Sequence, residues 1–447
     1  MKLIKLITPI KLIKLGSLLL LMLISSAASA LDPIETKIAE RVKSNSGRAL
    51  ETLEQSVNIN SGTMNFAGVK KVGKVFKAQF DRLGFETQWL EGDSFNRAGH
   101  LIASHRASLT NSPKILLIGH LDTVFSEDDS FQKFSRIDET YVAGPGITDM
   151  KGGDVIIVEA LSSLHELDLL KGINIKVVLT GDEERSGTPL SESKKALIEA
   201  AQWADIALGF EDGDSNINTA VIARRGSVDW QLEASGKPAH SSQIFQDDIG
   251  YGAIFEIARI LNQFRLELAG KGDLTFNPGM MVAGTNIEYD QTASKGHAFG
   301  KNNVIAKTAK VTGGIRALST EELSNAKAVM QRIVSENLAH TSATLSFKPG
   351  YPPMAPTEGN RALLKLYNEV SQSLGYNVVE AVNPRNAGAA DISFTAGLVD
   401  MALDGLGLMG SGGHTKEEVA DMTSLVKNTQ KAALLIYRLS EKGGGDS

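Results

Sequence analysis

The sequence predicts an α/β protein: a mostly parallel sheet with helices on both faces, interrupted by a ferredoxin-like β-α-β-β-α-β module. Three observations predict it. Over the first half, short apolar runs bounded by polar residues alternate with helical periodicity, which implies parallel strands joined by helices. From about Asn216 the order becomes strand, helix, strand, strand, helix, strand. Roughly 400 residues remain beyond an N-terminal leader, ample for two such units.

Residues 1–30 read as a secretory signal peptide. Lys2, Lys5, Lys11 and Lys14 precede an apolar run, Ser17–Ile24, and Ala28-Ser29-Ala30 supplies a small-x-small cleavage pattern. The apolar run is short for a membrane span, and no cysteine exists to carry a lipid. The expected location is therefore periplasmic or secreted, with no membrane association after cleavage. The chain carries 46 basic and 52 acidic residues, net −6; without the four leader lysines the balance is 42 to 52, net −10. A mildly acidic surface argues against nucleic acid as a partner. Without cysteine the core must hold by burial alone, and any transition-metal site must use His, Asp and Glu.

The elements follow in order. Glu35–Val57 and Val69–Leu83 have helical character, and Glu86–Leu90 and His100–His105 read as strands. Lys114–His120 is a buried strand, followed by a loop over Ser126–Ile147 rich in charge and glycine. Gly152–Leu169 is helical, Ile173–Thr180 a strand, Ser191–Ala201 helical and Ile206–Phe210 a strand. The inserted module follows. Thr219–Leu232 reads as a strand, Gly250–Leu266 as a helix, Gly279–Gly284 and Asn303–Gly313 as strands, Thr320–Asn337 as a helix and Ala343–Phe347 as a strand. A helix over Arg361–Leu374 and closing helices over Lys416–Leu439 complete the chain. The division expected is 1–30 leader, 31–215 first part of a catalytic domain, 216–347 lid or dimerisation domain, and 348–447 second part of the catalytic domain.

Ligands in open α/β sheets bind outside the carboxyl ends of the strands. Here several strands end in chemistry. The first closes on His120-Leu-Asp122, where Asp122 is expected to accept from one ring nitrogen and leave the other free for a metal. Gly144-Pro-Gly-Ile-Thr-Asp149-Met-Lys-Gly-Gly153 turns on both sides of one carboxylate. Asp182-Glu183-Glu184 follows the strand Ile173–Thr180, and Glu211 ends the next. Leu408-Met-Gly-Ser-Gly412-Gly413-His414 exposes one imidazole between glycines. Each stretch alone has a bland alternative, such as a helix cap for Asp149 or a solvated acidic loop for Glu183 and Glu184. Asp212-Gly-Asp214-Ser-Asn216 is not a calcium loop, since Ile217 and Ala223 stand where glycine and a bidentate acid are needed. Together, two imidazoles and three carboxylates suit two zinc ions: His120 and Glu211 on one, Glu184 and His414 on the other, Asp149 between them. Neighbours in extended chain point apart, so one of the Glu183–Glu184 pair is free to address a water.

This five-part pattern resembles the M20 metallopeptidases, over nearly the whole mature chain. The resemblance rests on His120-Leu-Asp122, the Gly144–Gly153 stretch, Asp182-Glu183-Glu184, Glu211 and Gly413-His414. It implies a zinc exopeptidase fold with an inserted lid often used for dimerisation, and a cis peptide bond after Asp149. It implies that Glu183 is the general base and Glu184 the ligand. It also implies that His240, in Gly236-Lys-Pro-Ala-His240-Ser-Ser, reaches the substrate carbonyl, in some members from a partner subunit. Asn303 and Arg316, with Gly412 and Gly413, are implied to hold a substrate carboxylate. Gly314 departs from the family, where an acid commonly stands two residues before that arginine. Arg385–Asp391 resembles a glycine-rich stretch whose acid lies near the active site; Asp391 is also expected to cap a helix. His100, His105, His165, His297 and His340 lack motif partners and are expected to be surface or core residues.

The expected activity is cleavage of an amide or peptide bond beside a free carboxylate, with a small peptide or N-acyl amino acid as substrate and a homodimer through the lid. An N-acyl-amino-acid deacylase or dipeptidase shares the same chemistry. A phosphohydrolase would favour magnesium or manganese and would not need the paired glutamates. A non-catalytic peptide binder would have lost Glu183 or a ligand, and none is lost.

Overall fold

The computed structural model describes residues 30–108, 112–291 and 293–443. The expected leader therefore lies, but for Ala30, outside the described residues. Two sheets organise the chain. The first has six strands: β1 Glu86–Glu91, β2 Gly99–His105, β3 Lys114–His120, β4 Asn174–Thr180, β5 Ile206–Gly209, and a last strand Met401–Leu403. Their order is β1-β2-β4-β3-β5-Met401–Leu403. The four strands from β4 to the last run parallel, and β1 and β2 are antiparallel. The middle strand β3 is buried at every residue after Lys114. A strand covered on both faces needs an unbroken apolar run, which is why Ile115–Ile118 is legible in the sequence.

Helices α1 Pro33–Ser44, α2 Ser46–Val57, α3 Phe66–Arg82, α4 Gly152–Glu166 and α5 Lys195–Trp203 accompany this sheet: α3, α4 and α5 pack on it, and α1 and α2 pack against α4. The single helix expected over Glu35–Val57 is two. The break falls at Asn45, whose side-chain amide reaches across to Glu166 Oε2 at 3.2 Å. The helix expected over Ser191–Ala201 is likewise broken, at Lys194, whose side chain is buried in ion pairs. Helix α4 is buried nearly all round, from Gly152 to Leu164, because the C-terminal helix Met422–Gly443 packs against it. The expected loop Ser126–Ile147 contains short strands at Ser135–Arg136 and Tyr141–Ala143, and the latter pairs with Val419–Asp421. That pairing fastens the Asp149 loop to the segment after His414. The chain over Lys416–Leu439 is accordingly a short strand and one helix.

The second sheet consists of β6 Gly226–Gly236, β7 Thr275–Gly284, β8 Thr308–Ala317 and β9 Thr341–Tyr351, in the order β7-β8-β6-β9, all antiparallel. Helices α6 Gly252–Leu268 and α7 Thr320–Ser335 cover one face, which gives the β-α-β-β-α-β order. The strand β6 alternates buried and open positions along its length, as a sheet with one covered face requires. Its core, with Trp230, Leu232, Ile257, Phe264, Val311 and Met330, is separate from that of the first sheet. Three details differ from expectation. The strand expected over Thr219–Leu232 is a short strand, Thr219–Ala220, paired with Glu380–Ala381, and then β6. A hairpin, Asn286–Asp290 with Lys295–Phe299, stands between β7 and β8. Asn303 precedes β8 instead of lying on it: Ile305 N donates to Ala239 O at 3.0 Å, so this stretch pairs with the His240 turn and not with the sheet.

Candidate metal centre and active site

The carboxyl ends of β3, β4 and β5 deliver His120, Glu183–Glu184 and Glu211 to one place. Asp149 arrives on the turn Ile147–Lys151, and the Asp149–Met150 peptide bond is cis. His414 arrives from the glycine turn, itself at φ 64°. His120 Nε2 lies 3.0 Å from Asp149 Oδ1 and 3.6 Å from Glu211 Oε1. His414 Nε2 lies 2.7 Å from Asp149 Oδ2 and 3.1 Å from Glu184 Oε2. Asp149 thus stands between the two imidazoles, one oxygen toward each.

The charges are crowded. Burial first, then the Asp149 carboxylate, pushes Glu184 up to about 7. Burial raises Glu183 and Glu211 well above the usual carboxylate range. Hydrogen bonds to Asp149 and Glu184 hold the His414 imidazolium up at about 11. Glu184 Oε1 is buried with no hydrogen-bond partner. His120, Asp149 and Glu184 each offer a ligand atom within 4.8 Å of the others. A set of N and O donors, net acidic, with an orphaned carboxylate oxygen fits divalent cations, which would relieve the repulsion that burial makes costly.

The surroundings fix these groups. Asp122 takes the Nδ1 side of His120 as expected, chiefly through its backbone carbonyl at 2.9 Å with its carboxylate at 3.5 Å, and Nε2 is left facing the cluster. The carboxylate also accepts from the backbone N–H of Glu183 (3.0 Å) and Glu184 (3.3 Å), and from Thr63 Oγ1 (2.6 Å). It clamps the glutamate pair. Glu418, unanticipated from the sequence, accepts from the N–H of Gly146, Thr148 and Asp149 and so holds the Asp149 turn. Gly146 sits at φ 70°, and a Cβ there would meet Thr123 Cγ2 at 2.3 Å, so the turn requires glycine. Arg224 pairs with Asp404 at 2.8 Å, and Asp404 Oδ1 accepts from Glu211 N at 3.3 Å. Asp391 is buried and does not cap its short helix: Lys194 Nζ (2.9 Å), Thr180 Oγ1 (2.6 Å) and Tyr351 Oη (3.1 Å) surround its carboxylate. Gly412 and Gly413 flank the cluster, Gly412 at φ 75° and Gly413 facing Asp212.

The other implied residues stand apart. His240 is exposed, and its Nδ1 shares a hydrogen bond with Ser242 Oγ at 2.8 Å within its own turn. Asn303 and Arg316 are also exposed. None of the three has a hydrogen bond or ion pair to the cluster. Arg316 faces other cations: burial, then Arg316 and Arg385, lowers the Arg225 guanidinium. His100 and His105 are held by main-chain oxygens of Ser193 and Ile173, as expected of structural residues. A cavity of about 600 Å³ adjoins Glu184, lined by Thr63, Met64, Val124, Glu127, Asp128 and Arg185 among others.

A parallel sheet with paired acids and two imidazoles at its carboxyl ends, joined to a ferredoxin-like lid, defines a metal-dependent peptidase or amidohydrolase. The chain belongs to the Peptidase family M20/M25/M40, which matches residues 116–438. It is 24% identical to carboxypeptidase G2 of Pseudomonas sp. (strain RS-16) over 397 residues, 87% of this chain and 89% of that protein. A probable succinyl-diaminopimelate desuccinylase of Staphylococcus aureus (strain MRSA252) is 31% identical over 179 residues, 38% of this chain and 42% of that protein. Aminopeptidase PepT of Bacillus cereus shares the fold, with a TM-score of 0.68 at 19% identity over 88% of this chain and 99% of that one. So does a dinuclear metal-binding M20 peptidase of Bacillus subtilis, with a TM-score of 0.62 at 16% identity over 89% of this chain and 99% of that one. Among the described residues no helix is long and apolar enough to cross a membrane.

Proposed function

We propose that this protein is an exported dinuclear zinc carboxypeptidase that cleaves an amide or peptide bond next to a free carboxylate. The observation that carries the reading is the placement of Asp149 between His120 and His414, with Glu184 and Glu211 on either side. His120 and Glu211 would hold one ion, Glu184 and His414 the other, with Asp149 shared. Two divalent ions, when bound, polarise the scissile carbonyl and lower the pKa of the attacking water toward neutrality.

The chain's own residues do the rest. Glu183, clamped through its N–H by Asp122, takes the proton of the attacking water and hands it to the leaving amine. His240 donates to the oxyanion of the tetrahedral intermediate, and Arg316, Asn303 and the Gly412–Gly413 turn hold the carboxylate of the released residue. In this reading residues 216–347 are a lid that must move, because His240 has no contact with the cluster. The exposed aromatic group Phe245, Tyr251 and Phe255 on that lid supports a homodimer. The lysine-led, apolar residues 1–30 support export to the periplasm or medium.

A deacylase of N-acyl amino acids shares every step and differs in what fills the cavity beside Glu184. A panel of dipeptides and N-acyl amino acids, assayed with elemental analysis, separates the two. We expect about two zinc ions per chain, activity lost to a chelator, and activity restored by zinc or cobalt. Fully active protein with one metal or none would overturn the dinuclear reading.

A further inference from the structure

The two strands by which the chain passes between the sheets are each hydrogen-bonded to a different part of the metal centre. At the start of β6, Arg224 and Met354 exchange backbone hydrogen bonds at 2.9 Å in both directions, which closes the two crossings into one neck. Arg224 then pairs with Asp404, which accepts from the N–H of Glu211. The second crossing is β9, whose last residue is Tyr351. Tyr351 pairs with Ser227 after a register shift that follows Lys348. Its single hydroxyl proton is shared between the backbone carbonyl of Glu183, 3.0 Å away, and Asp391 Oδ1, 3.1 Å away, and its oxygen accepts from Ser186 Oγ at 3.3 Å.

Tyr351 has little freedom. Its ring packs on Phe394, with centroids 5.1 Å apart, and the Lys194 ammonium lies 5.5 Å from the ring centre. That ammonium, fully buried, is shared between Asp182 Oδ1 at 3.0 Å and Asp391 Oδ1 at 2.9 Å. Asp182 in turn accepts from Gly187 N and Ser193 Oγ, which fixes the far side of the Asp182–Gly187 turn. Glu183 is therefore held by its N–H from Asp122, and by its carbonyl from a residue of the lid sheet. A buried ion network of this kind contributes little to net stability but specifies one geometry for the groups it contacts.

We infer that Tyr351 is a positioning residue for Glu183, and that through it the seating of the lid sets the orientation of the general base. It touches no substrate in this assignment. Its hydroxyl fixes the carbonyl of Glu183, and the β9 backbone ties that hydroxyl to the lid. The inference rests on the proposed role of Glu183 for its kinetic consequence, and on geometry alone for its structural one.

The test is Tyr351→Phe in the full-length protein loaded with zinc. The ring keeps its packing on Phe394 and beside Lys194, so only the hydroxyl is lost. We expect kcat to fall about tenfold or more, as for one lost orienting hydrogen bond, with KM within about twofold, zinc content unchanged and Tm lowered by no more than a few degrees. A kcat within about twofold of wild type, or a fall matched by loss of zinc or by a larger drop in Tm, would overturn the inference. Hydrogen exchange of the peptide spanning residues 180–187 supplies a second readout that needs no substrate. It should quicken at least about fivefold in Tyr351→Phe and stay unchanged in Tyr376→Phe, a remote control. Unchanged exchange in Tyr351→Phe would overturn the inference whether or not the hydrolase reading holds.

Discussion

The two halves of the proposed site are built in opposite ways. At the carboxyl ends of the first sheet the cluster is held from behind by buried polar groups, although His414 itself is exposed: Asp122 is held by Thr63, the Asp149 turn by Glu418, Glu211 by Asp404, and Asp391 by Lys194. On and beside the second sheet Arg316, His240 and Asn303 are exposed, and His240 bonds within its own turn and at its bridge to Val304. Preorganised groups suit chemistry that needs fixed charges. Groups left in water suit a surface that must still meet its substrate. In the proposed mechanism the first sheet would supply the metal ligands and the general base, and the second the oxyanion donor and the carboxylate-binding groups.

The comparison breaks most sharply at the glutamate pair. Glu183→Gln should keep both metals and lose about 10³–10⁴ in kcat, since no other group is placed to take the proton. Glu184→Ala should lose one metal and, with it, part of the thermal stability. Measuring kcat and bound zinc for both variants side by side decides the assignment; the opposite pattern reverses the roles.

Lys194→Met tests whether the buried half is held as one unit. The substitution leaves Asp182 and Asp391 buried and unpaired, an arrangement that costs about 3–5 kcal/mol. Denaturant unfolding should report a loss of that size. A loss below about 1 kcal/mol would mean that the two carboxylates find other partners.

His240→Ala probes the exposed half. Turnover should fall about a hundredfold, the scale of one oxyanion donor, while zinc content is retained and stability moves by no more than about 0.5 kcal/mol. An unchanged kcat would make His240 an ordinary turn residue and remove the lid from the chemistry.

A pH-dependent effect lies away from the catalytic groups, at a buried amine on the C-terminal helix. Burial and then Lys427 push the Lys431 amine down to about 7, and its nitrogen donates to Ile217 O at 2.9 Å. Between about pH 7 and the ordinary lysine value of about 10.4 the unfolded chain binds the extra proton, so this residue's destabilising contribution shrinks as pH rises through that window. Lys431→Met should therefore raise Tm at pH 7 and not at pH 10.5. An equal gain at both values would show that packing, and not charge, is responsible.

Much of the site was legible before the fold. A parallel strand buried on both faces must be an unbroken apolar run, so Ile115–Ile118 and Val177–Leu179 announce themselves, and the polar residues that follow mark the sheet's carboxyl edge. His120, Glu183, Glu184 and Glu211 are legible for that reason. The further hold of the Asp122 carboxylate on the glutamate pair was not legible. The backbone N–H groups of Glu183 and Glu184 lie 61 and 62 residues away in sequence.

By itself, then, the sequence determined the fold class, the alternation of elements and the residue types at the strand ends, because periodicity and strand termination are local properties. Only the tertiary structure decided what holds those residues in place. Glu418 reaches Thr148 across 270 residues, Arg224 reaches Asp404 across 180, and Tyr351 reaches Glu183 across 168. No local pattern marks such a carboxylate, guanidinium or phenol, since each is costly to bury until its distant partner arrives.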